Sequence, residues 1–214
     1  MKIRQLLMIF IPALVLLVLF LFIRVLQYEP LNPTLEQNTK QENIDTSVIP
    51  LFPEDPIIGD KKASASIVVF ADFGCDQCKN EYALFQQILA EYPSKIKMIW
   101  KGLPVTKFPY DSTLSHSYAF CSHKQGKFPA FANIVFENNF ALNEENLNDI
   151  ALAADLDVSR LQTCAQSQEP AQHMEKNKQI ARLLNIQSVP TMFLNNKQIP
   201  NPQTVDEWKA LLSL

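Results

Sequence analysis

Ile67-Val68-Val69-Phe70-Ala71-Asp72-Phe73-Gly74-Cys75-Asp76-Gln77-Cys78 is the stretch on which the fold of this chain turns. Ile67 to Phe70 form a short, continuous run of β-branched and aromatic residues, the pattern of a strand buried on both faces. Two cysteines follow, two residues apart. After them apolar residues recur at helical spacing: Tyr82, Phe85, Leu89 and Tyr92, with Leu84 and Ile88 beside them. Pro93 ends that helix. Ile96, Met98 and Trp100 then alternate with Lys95, Lys97 and, imperfectly, Ile99, as a second strand does. Strand, helix and strand with short joints make a βαβ unit, so the two strands are expected to pair in parallel.

The position of the cysteines gives them chemistry. A first sulfur at a helix start lies where unpaired backbone N–H groups and the positive end of the helix dipole converge. That setting favours thiolate, the nucleophilic form. A second cysteine one turn on is close enough to close a disulfide or resolve a mixed one. Strand-CxxC-helix inside a βαβ unit is therefore a redox signature, with Cys75 attacking and Cys78 resolving. Half of a zinc site, completed by Cys121 and His123 or His173, is a rival, but Cys121-Ser122-His123 is too tightly spaced for a zinc knuckle. A structural disulfide is another rival, and it is seldom placed at a helix start after a buried strand. His116, His123 and His173 show no metal-ligand spacing and are expected to be surface or satisfied residues; no metal site is expected.

Downstream, from about Ser112 to Leu184, the chain reads as helices. Asn143 caps a stripe of Leu147, Ile150, Ala151 and Ala154; Asp157 caps a short helix carrying Leu161 and Cys164; Glu169-Pro170 opens another. Thr191 to Leu194 reads as a strand, Asn195-Asn196-Lys197 as a hairpin turn before Gln198-Ile199, and Val205, Trp208, Leu211 and Leu212 as a final helix. Upstream, Leu6 to Ile23 is a run of 18 uncharged, mainly apolar residues. At 1.5 Å per residue it nearly covers a hydrocarbon core of about 30 Å. Without a small-x-small cleavage site after it, the expectation is an uncleaved signal-anchor helix over 6–26, cleavage being the alternative. Lys2 and Arg4 place residues 1–5 in the cytoplasm and the rest outside. Residues 27–56, rich in proline and polar side chains, read as a tether, and the folded domain begins near Ile57. A net charge of −3 over 214 residues suggests no nucleic-acid partner. The four glycines supply no GxGxxG or GxxxxGK[ST] phosphate loop.

At this point the sequence resembles a family. Ile58-Gly59-Asp60 with Ile67 through Cys78, Gln125-Gly126-Lys127-Phe128, and Ser188-Val189-Pro190-Thr191-Met192-Phe193-Leu194 look like the corresponding parts of DsbA-like proteins. The likeness spans residues 57–214. It implies an α/β thioredoxin-like fold with a helical insertion, at about 110–185, between the βαβ and ββα halves. It also implies a protein-disulfide oxidoreductase needing no cofactor beyond the Cys75–Cys78 disulfide. Its partners are then extracytoplasmic proteins with thiols or disulfides, a membrane redox partner and, through the anchor, the lipid bilayer. Its place is the periplasmic or extracytoplasmic side of a bacterial inner membrane, crossed once. Pro190 is implied to be a cis-proline against the sulfurs, leaving the Val189 backbone open to an extended substrate chain. Similar proteins often carry a second pair, so Cys121 and Cys164 are expected as a structural disulfide, two small buried core residues being the alternative. Two departures bear on redox poise. Asp76-Gln77 stands where relatives often have proline first, and Asp76 puts negative charge beside the nucleophile. Val69 stands where some relatives have a buried acid. The direction of electron flow is left open between oxidase and reductase or isomerase, and a tethered Cu(I)-binding module using Cys75 and Cys78 is the rival from another class.

Overall fold

The computed structural model describes residues 15, 17–20, 48–137 and 141–214. Ile57–Gly59 (β1), Ala65–Ala71 (β2) and Ile96–Gly102 (β3) precede Thr191–Leu194 (β4) and Lys197–Ile199 (β5) in one sheet of order β1-β3-β2-β4-β5. β2 pairs in parallel with β3, Val69 opposite Trp100, and antiparallel with β4, Val69 opposite Met192. Asp76–Glu91 (α1) makes the crossover between the parallel pair. Between β3 and β4 run Thr113–Lys124 (α2), Phe128–Glu137 (α3), Glu144–Ala153 (α4), Val158–Ala165 (α5) and Gln168–Leu183 (α6); Val205–Leu212 (α7) closes the chain.

The continuous apolar run of β2 is explained by its two covered faces. Ile67, Val69 and Ala71 point into one core with Met98, Trp100, Tyr82, Phe85, Ile88, Trp208 and the aromatic residues of α3. Val68 and Phe70 point into a second core with Ile99, Leu103, Phe193, Ile180 and Ala181. Each fully buried valine, isoleucine, leucine, methionine or phenylalanine among them contributes about 1.5–3 kcal/mol relative to exposure. Local signals agree with the packing. The side chains of Asn143 and Asp157 accept the N–H of Asn146 and Arg160 at the starts of α4 and α5. Asn195 and Asn196 take φ of 47° and 68° in the β4–β5 turn, where asparagine tolerates the left-handed region.

Cys121 on α2 and Cys164 on α5 are joined by a disulfide across 43 residues of sequence. Closing a loop of that length removes on the order of 4 kcal/mol of unfolded-chain entropy.

Two features differ from the sequence-based expectation. The tether expected over 27–56 ends sooner, because Ile49 is buried in the second core and Phe52 packs against it. The strand β1 was not foreseen; three residues carry no pattern of their own and become a strand by pairing with β3. Lys101 on β3 is fully buried and paired with Asp55, with the Phe52 ring 4.3 Å from its Nζ. Of the expected membrane span, residues 15 and 17–20 are described and helical, and the rest of 6–26 lies outside the described residues. Among the described residues no helix is long and apolar enough to cross a membrane.

Candidate active site

Cys75 is the N-cap of α1, in extended backbone geometry, where a serine or aspartate usually stands. Its sulfur does the work of that cap. The Cys78 N–H donates to Cys75 Sγ at 3.2 Å, leaving the sulfur in the field of the helix start. Half-buried Cys75 faces outward, whereas Cys78 is buried one turn below it. The carbonyl of Val189 lies 3.7 Å from Cys75 Sγ, and the Val189–Pro190 peptide is cis. Thus the fold brings Cys75, Cys78, Val189 and Pro190 to one place, although 114 residues separate the nucleophile from Val189.

The two sulfurs are driven apart in acidity. The hydrogen bond from the Cys78 thiol lowers the Cys75 pKa most; burial works against it, and the N–H groups of Cys78 and Gln77 add to the lowering. The result is about 7 rather than the ordinary 9.0, so a large share of Cys75 is thiolate near neutral pH. Burial, and donation to Cys75, push the Cys78 thiol strongly up. One sulfur is thereby poised to attack, and the other keeps its proton until it is needed.

The sequence placed the tuning carboxylate at Asp76. The structure adds a second. Asp76 is exposed, and the charge of Asp72 also raises Cys75, a smaller influence than burial or the hydrogen bonds. Asp72 is fully buried at the end of β2. Its N–H donates to Cys78 Sγ at 3.5 Å. One carboxylate oxygen accepts from Gly74 N–H at 3.0 Å and pairs with His116 Nε2 at 3.1 Å. The other accepts from Val105 N–H at 2.8 Å and Thr106 N–H at 2.6 Å. Burial alone would raise its pKa, but the His116 imidazole and the N–H groups of Gly74 and Thr106 outweigh it and hold the carboxyl well below the usual range. Two glycines make room for this cluster: a Cβ on Gly74 would meet the Thr106 side chain at 2.7 Å, and one on Gly102 would meet His116 Nδ1 at 2.5 Å. Asp72 stood in the sequence only as part of the stretch before the cysteines, and His116 was expected as a surface or satisfied residue; it is satisfied, by Asp72. Their one signal was Asp72 itself, a charged residue between a buried strand and the cysteines.

Replacing Asp76 with proline is accordingly expected to lower the Cys75 pKa only slightly, because solvent and salt screen a charge at an exposed helix start. A thiolate absorbance titration of the variant checks this. A large shift would restore Asp76 as the dominant tuning group.

His173, like His116, is buried and paired, with Asp55 Oδ1 at 3.0 Å. Cys121, a possible zinc ligand by sequence, is held in its disulfide. Among the described residues no group of three or more His, Cys, Asp or Glu is arranged to hold a metal ion. An open cleft of about 330 Å³ borders Cys75, with Phe73, Tyr110, Phe136 and Leu142 in its walls.

A family model described as thioredoxin matches residues 52–213. Among curated relatives, the Na+/H+ antiporter NhaA 3 of Salinispora tropica is 24% identical over 79% of this chain. The alignment spans only about a quarter of that protein, 26% of its length. The disulfide bond formation protein D of Bacillus subtilis is 25% identical, over 81% of this chain and 82% of its own. Among solved structures, the thiol-disulfide exchange protein alpha-DsbA2 from Wolbachia pipientis superposes with a TM-score of 0.69 at 16% identity, covering 80% of this chain and 91% of that one. The last likeness is one of fold.

Proposed function

The chain belongs to the thioredoxin family, and from that premise we propose that it is a thiol–disulfide oxidoreductase acting on protein substrates through Cys75 and Cys78. The observation that carries this reading is the divided acidity of the pair: Cys75 at a helix start with a pKa of about 7, and Cys78 buried and pushed up beneath it. In the reducing direction the Cys75 thiolate attacks one sulfur of a substrate disulfide, that S–S bond breaks, and the second substrate sulfur leaves as thiolate and takes a proton. Cys78 then gives up its proton and attacks Cys75 Sγ, forming the Cys75–Cys78 disulfide and releasing the first substrate sulfur as thiol. Two electrons pass from the protein to the substrate, and the oxidising direction is the reverse. The Val189 backbone beside Cys75 offers a rail for the substrate chain, and no metal or nucleotide enters either step. The likeness to the disulfide bond formation protein supports this assignment; transport is the named activity of the antiporters, and the match reaches a quarter of their length. Mixing the reduced protein with insulin tests the reading: insulin thiols should appear as Cys75 and Cys78 lose theirs, and an unreactive protein with both thiols free would refute it.

We propose further that the domain works on the outer side of a bacterial inner membrane, tethered by residues 6–26, with a membrane protein renewing its redox state. Lys2 and Arg4 before the apolar run, and the Cys121–Cys164 bond, which suits an oxidising compartment, support this. A reporter fused after Leu214 should be active only if it functions outside the cytoplasm. A fusion active in the cytoplasm would overturn both topology and compartment.

A further inference from the structure

Glu81 lies on the buried stripe of α1, one turn beyond Cys78, where a helix of this kind ordinarily carries an apolar side chain. It is 4% exposed, and its Oε2 has no hydrogen-bond partner among the described residues. Its Oε1 accepts from Gln203 Nε2 at 3.2 Å. The same Nε2 donates to the Asn201 carbonyl at 3.0 Å, and Asn201 Nδ2 donates to the Pro190 carbonyl at 2.9 Å. A line of hydrogen bonds thus runs from the helix that bears the cysteines to the segment facing Cys75. Resting on the redox reading above, we propose that Glu81 is a positioning residue which, through Gln203 and Asn201, sets the place of the Val189–Pro190 segment and so governs how well a protein disulfide docks.

The relay has an opposing charge built into it. Gln203 is held from both sides, its side chain by Glu81 and its backbone N–H by Glu207 Oε2 at 2.7 Å. Glu207 on α7 is the carboxylate whose charge reaches Glu81; Lys209, two residues on, is committed to Glu91 at 2.8 Å, and Glu137 on α3 acts on Tyr82 instead. Burial, then Glu207, push the Glu81 pKa up to about 7 against the hydrogen bond from Gln203, which favours the ionised form. Below that pH Glu81 is neutral and the relay is undisturbed. Above it, ionised Glu81 is the stronger acceptor for Gln203 Nε2 and draws it away from the Asn201 carbonyl that shares it, so Gln203 shifts and, with it, Asn201 and the Pro190 carbonyl; Glu207 sets the pH at which this happens. Docking should therefore weaken as pH rises through the neutral range, on top of the change in Cys75 itself.

The test divides the rate of insulin reduction by the Cys75 thiolate fraction, measured separately by absorbance, between about pH 5.5 and 8.5. The normalised rate of the full-length protein should fall about fivefold, the size of one ordinary hydrogen bond. Its midpoint should lie near pH 7, the Glu81 value. Glu81→Gln, neutral at every pH, should give a flat profile with an unchanged thiolate titration. Glu207→Gln, at an exposed position, should keep the fall and move its midpoint to lower pH, which serves if Glu81→Gln does not fold. Three superimposable profiles would overturn the proposal, as would a thiolate titration that moves in step with the rate in Glu81→Gln. A normal thiolate titration with no insulin reduced at any pH, by the wild type included, would overturn the redox reading itself.

Discussion

Replacing Cys75 with serine is expected to reduce disulfide exchange to the background of the buffer, with the fold intact. The hydroxyl can still accept the Cys78 N–H and cap α1, as serine does at many helix starts, so the site keeps its shape. It cannot ionise near neutral pH, and the free thiol that is left, Cys78, is buried with its proton held tightly. Cys78→Ser should do something different. Cys75 still attacks, but nothing follows to resolve the adduct, so substrates accumulate as mixed disulfides on Cys75. Non-reducing electrophoresis and mass spectrometry of the two variants separate the roles. Retained exchange in Cys75→Ser, with no adducts in Cys78→Ser, would reverse or abolish the assignment.

Asp72→Asn is expected to have the second-largest effect, on both stability and redox poise. Both carboxylate oxygens are used, one by Val105 and Thr106 N–H, the other by Gly74 N–H and His116. An amide can serve only one side as an acceptor; its NH2 then faces the donor on the other. A stranded buried donor costs about 1–3 kcal/mol, and the variant should lose about 3 kcal/mol in denaturant unfolding. The pH dependence has a definite sign. A carboxyl whose pKa is depressed by folding stabilises the protein above its unfolded value, and that contribution is lost as pH falls below about 3.9 toward the folded value. The wild type should therefore lose stability in acid more steeply than Asp72→Asn. At the sulfurs the same change removes a negative charge, so the Cys75 pKa should drop and the disulfide become the stronger oxidant. A variant as stable as wild type, with the Cys75 titration unmoved, would show that Asp72 neither holds nor tunes the site.

What the sequence revealed and what it hid divide along the range of the interactions. Strand β2, helix α1, strand β3 and the caps Asn143 and Asp157 were legible because each is set by neighbours within one or two turns. So was the chemistry of Cys75 and Cys78, which follows from a helix start. Val189 and Pro190 entered through a family motif, not through any local pattern. The Asp72–His116 pair spans 44 residues, and Glu81 meets Gln203 across 122; no periodicity encodes such meetings. The burial of Lys101 has a related cause. Lysine at a strand position ordinarily marks a solvent face, and here Asp55, from a segment read as tether, reaches back to cover it. Val69, read as standing where some relatives have a buried acid, packs in the first core, and a buried acid is present three residues further on, at Asp72.

The central claim is that Cys75 and Cys78 form one two-electron couple. Equilibrating the protein in glutathione buffers of graded ratio, then alkylating free thiols and weighing the products, tests it directly. The account predicts that both cysteines are gained and lost together, with a single midpoint between about −270 mV, the thioredoxin value, and about −120 mV, that of DsbA. Cys75 and Cys78 remaining reduced at every ratio, or Cys75 taking up glutathione with Cys78 never joining it, would contradict the account.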